Sequence, residues 1–244
     1  MSIFSKLMPV LAAGSLAAQP VGPVLAQAGC TTDAMLVFDG SGSMAEMGFN
    51  ALGSPRIFDA REAVRRSMPH VAPLRRLGLI VYGPGRGEAC SNIALHFPPR
   101  PDAAGAIIAT VEGLAPEGTT PLTEAVARAA EVLEFRTRAG VVVLVTDGKE
   151  TCGGTPCRLA SDLAAEAAGL TVHVIGFRVR PDYFDWESGE GAGHRETVAV
   201  AECLAEKTGG LYVSAETVDD LTAALQVTLG CAVIGMRPGL PAAG

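Results

Sequence analysis

The sequence predicts an α/β fold: a three-layer sandwich with a mainly parallel central sheet, one antiparallel edge strand, and helices on both faces. Three observations lead there. Six short apolar runs recur along the chain, segments of helical period separate most of them, and one pair of runs is joined by a connection too short for a helix.

The runs are "AMLVF" (34–38), "LGLIVY" (77–82), "IALHF" (93–97), "VVVLV" (141–145), "TVHVIGF" (171–177) and "LYVS" (211–214). Near-continuous apolar strands of this kind are those that a parallel sheet buries on both faces. Ala60, Val64 and Met68 form one helical stripe, Leu122, Ala125, Val126, Ala129 and Leu133 a second, and Val218, Leu221 and Leu225 a third. Only "GPGRGEACSN" joins the second run to the third, so these two strands are expected to pair antiparallel at an edge. Helix starts are marked by Thr120-Pro121 and Thr155-Pro156, each a capping hydroxyl before a first-turn proline, and by Thr217 with Asp220 as a capping box.

The first residues speak to compartment. Lys6 precedes the apolar stretch "LMPVLAAGSLAA", and Ala26 and Ala28 in "VLAQA" stand at signal-peptidase spacing, so residues 1–28 are expected to be a signal peptide. Pro9, Pro20 and Pro23 interrupt the stretch, and it falls short of the roughly 20 apolar residues a membrane span needs. A further reading takes "QAGC" as a lipoprotein box with Cys30 acylated; Gln27 stands where such a box takes an aliphatic residue, which places this reading second. Cleavage removes Lys6 and no acid, leaving 18 Lys+Arg against 26 Asp+Glu. Nucleic acid and anionic membrane surfaces are therefore expected to be poor partners. All six cysteines lie beyond residue 28, an even count that in an exported chain, periplasmic or secreted, points to disulfides rather than metal.

In an open parallel sheet, ligands bind at the carboxyl ends of the strands. Asp39 ends the first strand in "LVFDGSGSM" and Asp147 ends the fourth in "VVVLVTDG", while Thr120 in "EGTTPL" opens a helix expected at the same face. With Ser41 and Ser43 these residues supply two carboxylates and three hydroxyls. That all-oxygen set suits a hard divalent cation such as Mg²⁺. Gly40 and Gly42 would let the loop turn tightly while Ser41 and Ser43 point to one side. Taken singly, Asp39 and Ser41 would shape a turn, Thr120 would cap a helix, and Asp147-Gly148 would be a turn. Five in order, each at a strand end or helix start, point to a site.

The D-x-S-x-S of Asp39, Ser41 and Ser43, the Thr120 of "GTTP" and the Asp147 of "TDG" resemble the metal-ion-dependent adhesion site (MIDAS) of von Willebrand factor type A domains. The likeness runs from about Ala34 to Leu229, giving a domain over residues 29–235 and a flexible tail over 236–244. The stretch "TDGKETCGGTPC" looks like that of secreted bacterial members. The resemblance implies a protein-binding module rather than an enzyme, with a divalent cation (Mg²⁺, or Mn²⁺ or Ca²⁺) at Asp39, Ser41, Ser43, Thr120 and Asp147. The serines and the threonine would contact the ion, the aspartates would act partly through water, and one position would stay open for an Asp or Glu of a protein partner.

Other chemistries fit less well. An aspartic peptidase needs Asp followed by Thr or Ser and then Gly in an all-β fold, whereas Gly40 follows Asp39. A serine hydrolase needs G-x-S-x-G and a base, and His70, His96, His173 and His194 are read as structural or solvated. A Mg²⁺-dependent phosphohydrolase using Asp39 is the stronger rival, but it lacks basic residues near the site beyond Lys149.

The segment "RVRPDYFDWESGEGAGHRE" leaves the carboxyl end of the fifth strand, and Tyr183, Phe184 and Trp186 within it are candidate partner contacts. Self-packing of those aromatics is the competing reading. Cys30 precedes the first strand and Cys231 follows the last helix, ends that this fold brings together, so they are expected to pair. Cys152 and Cys157 are expected to close a small loop beside Asp147. Cys90 and Cys203 are left without assigned partners, with Cys203 read as a buried thiol. In relatives the last helix can slide to change affinity, and a Cys30–Cys231 crosslink is expected to restrict that travel.

Overall fold

The structure, a computed structural model, describes residues 30, 32–47, 53–85, 89–148, 150–178 and 202–231. Six strands, β1 (Asp33–Asp39), β2 (Leu77–Tyr82), β3 (Ile93–Arg100), β4 (Gly140–Thr146), β5 (Leu170–Phe177) and β6 (Tyr212–Ala215), form one sheet in the order β3-β2-β1-β4-β5-β6. Every pairing is parallel except β2 with β3, the antiparallel edge expected from the short connection. β3 runs past the predicted "IALHF" through Pro98 and Pro99. Proline has no N–H to give a ladder, and an edge strand tolerates that loss.

Successive side chains of a strand point to opposite faces, and the core divides accordingly. On one face Leu36 and Phe38 of β1, with Leu79, Val81, Val143, Val145, Ile175 and Phe177, pack under helices α1 (Arg56–Val71), α2 (Ala104–Glu112) and α5 (Val218–Leu229). On the other, Met35 and Val37, with Ile80, Val142, Leu144, Val172 and Val174, pack under α3 (Leu122–Val132) and α4 (Pro156–Glu166). The predicted stripes Ala60/Val64/Met68 and Leu122/Ala125/Val126/Ala129/Leu133 are buried throughout.

Helix starts differ in part from expectation. Thr217 and Asp220 make the capping box. Thr155 precedes Pro156 of α4, but its side chain makes no cap hydrogen bond. At α3 the cap position falls on Pro121, and the Thr123 amide is taken at 2.9 Å by the Glu150 carboxylate. A charged acceptor brought in from another loop, favoured at the positive end of a helix, displaces the local hydroxyl, so Thr120 is not a cap.

The cysteines also pair differently. Cys30 bonds to Cys231, as expected, with Cα atoms 5.2 Å apart. Cys152, however, bonds to Cys90, and Cys157 bonds to Cys203. The expected Cys152–Cys157 loop does not form, because Cys157 is carried into the first turn of α4 and meets the helical residues 202–207. Cys152 instead turns back toward the β2–β3 connection. Cys30, with its sulfur in a disulfide, is not placed for acylation. Among the described residues no helix is long and apolar enough to cross a membrane.

Candidate metal centre

The chain reverses direction across the sheet between β1 and β4. The first three strands build one way and the last three the other, so the carboxyl ends of β1 and β4 open onto the switch point where open α/β sheets bind ligands. Phe38 pairs with Val145, which sets Asp39 beside Thr146. Asp39 is fully buried, and the Thr146 hydroxyl donates to its Oδ2 at 2.8 Å while the Ser41 amide donates to its Oδ1 at 2.8 Å.

From Asp39 a chain of contacts crosses the strand ends. Ser41 Oγ and Ser43 Oγ lie 3.1 Å apart, and Ser43 Oγ donates to Asp147 Oδ1 at 2.6 Å. The two serines face one side, as expected from their spacing. The glycines act otherwise than expected: neither Gly40 nor Gly42 adopts a positive φ. Gly40 is required by close approach, since a Cβ there would come within 2.8 Å of Pro84 Cδ. The left-handed backbone is at Gly83 (φ 103°) and Gly118 (φ 81°), whose loops flank the serines; a Cβ on Gly83 would lie 2.4 Å from the Ser41 amide nitrogen.

Thr120 arrives on the loop before α3. That loop is tied to the serine loop by Gly42 N to Gly118 O at 3.1 Å and Glu117 N to Gly40 O at 3.0 Å. It is tied to the loop after β4 by Thr120 N to Thr151 Oγ1 at 2.8 Å and Thr151 N to Thr120 O at 3.2 Å. The five sequence-selected residues therefore lie at one end of the sheet, Asp39 as the last residue of β1 and the other four on three interlocked loops. Tyr183, Phe184 and Trp186 fall outside the described residues, as does Lys149.

Several neighbours were not anticipated. Thr146 orients Asp39, and its only sequence signal is its place directly before Asp147. Arg56, the first residue of α1, donates to Ser43 O at 3.0 Å and stands 3.6 Å from Asp147 Oδ2 and 3.3 Å from Glu46. The Tyr82 hydroxyl is fully buried beside Asp39 and Thr146 without meeting either at hydrogen-bonding geometry, and burial, with Asp39 second, pushes its pKa well up.

Two carboxylates with one adjacent arginine leave negative charge in excess. Burial first, then the Asp39 charge, pushes the Asp147 carboxyl up to about 7, against the Ser43 hydrogen bond and the Arg56 charge. Asp147 Oδ2 is buried and has no hydrogen-bond partner. A buried carboxylate oxygen without a donor is costly, and a small cation is one group that would satisfy it. Among the described residues no set of three or more His, Cys, Asp or Glu side chains gathers to hold an ion. Any cation here depends on hydroxyl oxygens, a donor set that fits Mg²⁺, Mn²⁺ or Ca²⁺ chemistry.

Comparison with known proteins places this arrangement. Over 199 residues the chain is 30% identical to "Uncharacterized protein YwmD" of Bacillus subtilis (strain 168), spanning 78% of this chain and 81% of that protein. The family model of the von Willebrand factor type A domain matches residues 34–150, from β1 to just past β4. The chain belongs to the von Willebrand factor type A family. A second Bacillus subtilis (strain 168) protein, YwmC, is 26% identical to it over 195 residues, 76% of this chain and 78% of that one. The solved structures that share the fold of this von Willebrand factor type A domain include three from different settings. An aerotolerance-related membrane protein from Bacteroides fragilis NCTC 9343 has a TM-score of 0.59 at 18% identity, covering 81% of this chain and 98% of that one. The pilus adhesin SpaC from Lactobacillus rhamnosus GG gives 0.59 at 15% identity, covering 81% and 30%. Proximal thread matrix protein 1 of the mussel byssus, solved with a zinc-occupied MIDAS, gives 0.54 at 18% identity, covering 81% and 47%. Proteins of this family commonly serve as adhesion or interaction modules.

Proposed function

We propose that this von Willebrand factor type A domain is an exported, non-enzymatic protein-binding module whose Asp39, Ser41, Ser43, Thr120 and Asp147 form a complete MIDAS. The single observation behind the reading is Asp147 Oδ2, a carboxylate oxygen buried without a hydrogen-bond partner at the sheet's switch point, where Ser43 bonds the other oxygen, Ser41 lies against Ser43, and Asp39 and Thr120 stand on adjoining segments. A bound Mg²⁺, or Mn²⁺ or Ca²⁺, would supply an electrophilic centre with one position open to an Asp or Glu side chain of a partner protein. The chain's own residues position the donors. Thr146 and the Ser41 amide fix both oxygens of Asp39, and Ser43 fixes Oδ1 of Asp147, while Oδ2 makes no hydrogen bond and has only the Arg56 charge 3.6 Å away. Three disulfides fit an oxidising compartment, periplasmic or extracellular.

Titration calorimetry of the chelator-treated protein with Mg²⁺, Mn²⁺ and Ca²⁺, with and without a peptide carrying Asp or Glu, tests the reading. Uptake that Thr120→Ala weakens supports it. Absence of uptake for every ion, with peptide present, refutes it. Capture of exported proteins with and without chelator then seeks the partner, and a change in Trp186 fluorescence on binding would place Tyr183, Phe184 and Trp186 at the contact. Turnover of phosphoesters with Mg²⁺ that Asp39→Ala abolishes would favour the hydrolase instead.

A further inference from the structure

The opposite end of the sheet, where β1 and β2 begin, carries a second arrangement of charge. Arg75 stands in the turn between α1 and β2 and is only 9% exposed, yet its Nε and Nη1 are buried and meet no hydrogen-bond acceptor. Arginine does not escape burial by losing its proton in proteins, so the fold holds a desolvated cation with unanswered donors. Burial draws its pKa down, and the Asp33 charge offsets this only in part.

Asp33 is already shared. Arg76 Nε lies 3.5 Å from its Oδ1 and Arg138 Nη2 lies 3.2 Å from its Oδ2. The other arm of Arg138 reaches Glu134 at 3.7 Å, and Arg76 Nη2 donates to Pro99 O at 2.8 Å. Arg76 and Arg138 thus pair with Asp33, whose charge also reaches Arg75, and among the described residues Glu134 is the one further acid paired to them. The result is a local positive excess in a chain of formal net charge −7. The whole-chain balance that argued against anionic partners averages over this end.

Native folds leave few buried polar groups unpaired, a charged one is costly, and a bound water or ion is among the groups that answer it. Guanidinium groups pair with carboxylate or phosphoryl oxygens. A carboxylate offers two oxygens and one charge, whereas a phosphoryl group offers three or more oxygens and enough charge to reach the flanking arginines. We propose that Arg75, with Arg76 and Arg138 at its rim, forms a receptor for a phosphoryl oxyanion at the end of the domain opposite the Asp39–Asp147 cluster. The position has a consequence for orientation. Cys30 N donates to Leu74 O at 2.8 Å, and the Cys30–Cys231 bond fastens both ends of the domain beside Arg75. A phosphoryl group held here, soluble or part of a lipid headgroup, leaves the carboxylate cluster facing away from it.

The test uses the oxidised protein with chelator present throughout, so that phosphate cannot report on divalent ions at the other end. Thermal unfolding is followed in inorganic phosphate and in chloride of equal ionic strength. Sedimentation with vesicles of phosphatidylcholine, with and without phosphatidylglycerol, runs in parallel. Parent protein is expected to gain about 5–10 °C at a hundredfold excess of phosphate over its Kd. Arg75→Met replaces an unanswered buried cation by a side chain of similar length, so it is expected to fold, to be at least as stable in chloride, and to lose the phosphate response. Arg76→Gln with Arg138→Gln should weaken the response about tenfold or more while leaving Arg75 in place. A phosphate response without vesicle binding identifies a soluble phosphoryl ligand; vesicle binding that needs phosphatidylglycerol and Arg75 identifies a headgroup. Identical behaviour of parent in phosphate and chloride with no vesicle binding overturns the proposal, and so does a response that Arg75→Met retains in full.

Discussion

Replacing Thr146 by valine keeps the branched side chain at the end of β4 and deletes the hydroxyl that donates to Asp39 Oδ2 at 2.8 Å. Asp39 is fully buried, so no bulk water replaces that donor. An unsatisfied buried acceptor costs roughly 1–3 kcal/mol, more when charged. In a domain of this length each kcal/mol lowers the melting temperature by about 2–4 °C, so the metal-free variant should melt about 2–12 °C below parent. The second effect is on the ion. Groups that orient a metal's ligands typically contribute 10–100-fold in affinity, so the Mg²⁺ or Mn²⁺ titration midpoint should move by about one to two decades. Calorimetric titration measures the second effect, and thermal unfolding in chelator measures the first. Thr228→Val is the control: it deletes a buried hydroxyl that bonds within α5 to Ala224 O at 2.7 Å and should leave the titration unmoved. A Thr146→Val protein that melts lower but titrates like parent would show that Asp39 is held for structure alone.

Arg56 stands 3.6 Å from Asp147 Oδ2, where it balances the carboxylates and would repel an incoming ion. Arg56→Met should therefore lower stability in chelator by roughly 1–3 kcal/mol and tighten divalent binding by about tenfold or more; weaker binding in calorimetry would reverse that assignment. His173 Nδ1 accepts the Leu211 amide at 3.0 Å, and burial, with the Arg75 charge second, lowers its pKa to about 4. A folded pKa below the ordinary value means that the stability is complete above about pH 6.5 and is lost as pH falls through about 4, up to about 3 kcal/mol in all. His173→Asn should flatten that part of the stability profile measured by denaturant unfolding at a series of pH values. Removing the Cys30–Cys231 bond frees 201 residues of separation and should cost about 5 kcal/mol in the chain-entropy model, which unfolding of Cys30→Ser with Cys231→Ser checks.

The sheet and the cluster were legible for different reasons. Strands such as "VVVLV" declare themselves because burial on both faces forbids polar interruption, so the first polar residue after the run, Asp39 or the Thr146-Asp147 pair, marks a strand end. Ser41 and Ser43 follow within one loop, and their spacing alone brings their hydroxyls together. Arg56 and Glu150 were not legible, because their roles depend on side chains reaching across from other loops: Arg56 to Asp147, and Glu150 to the first turn of α3. The expected Cys152–Cys157 bond is absent for the same reason, whereas Cys30–Cys231 forms as the fold implies. Cys152 and Cys157 are close in sequence, but α4 begins between them and turns their side chains toward different neighbours.

The corrected pairing bears on how the candidate site is held. The Cys90–Cys152 bond joins the β2–β3 connection to the loop after β4, and the Thr119 hydroxyl lies 3.3 Å from Cys152 Sγ and 3.8 Å from Cys90 Sγ. Glu150 closes the same loop on itself through Cys152 N at 2.7 Å and onto α3 through Thr123 Oγ1 at 2.6 Å. The serine loop is fastened to the Thr120 loop by backbone bonds, and the Thr120 loop to the Asp147 loop by Thr151. Every loop that offers an oxygen is thus bonded to another, so an arriving ion has little backbone to order and binding loses little to conformational entropy. The exception is Arg56. Its partner Glu46 has a side chain 70% exposed, and an exposed ion pair contributes little. Rearrangement on ion or partner binding is therefore expected where α1 begins, at Arg56 and Glu46, rather than in the crosslinked loops that carry Ser41, Thr120 and Asp147.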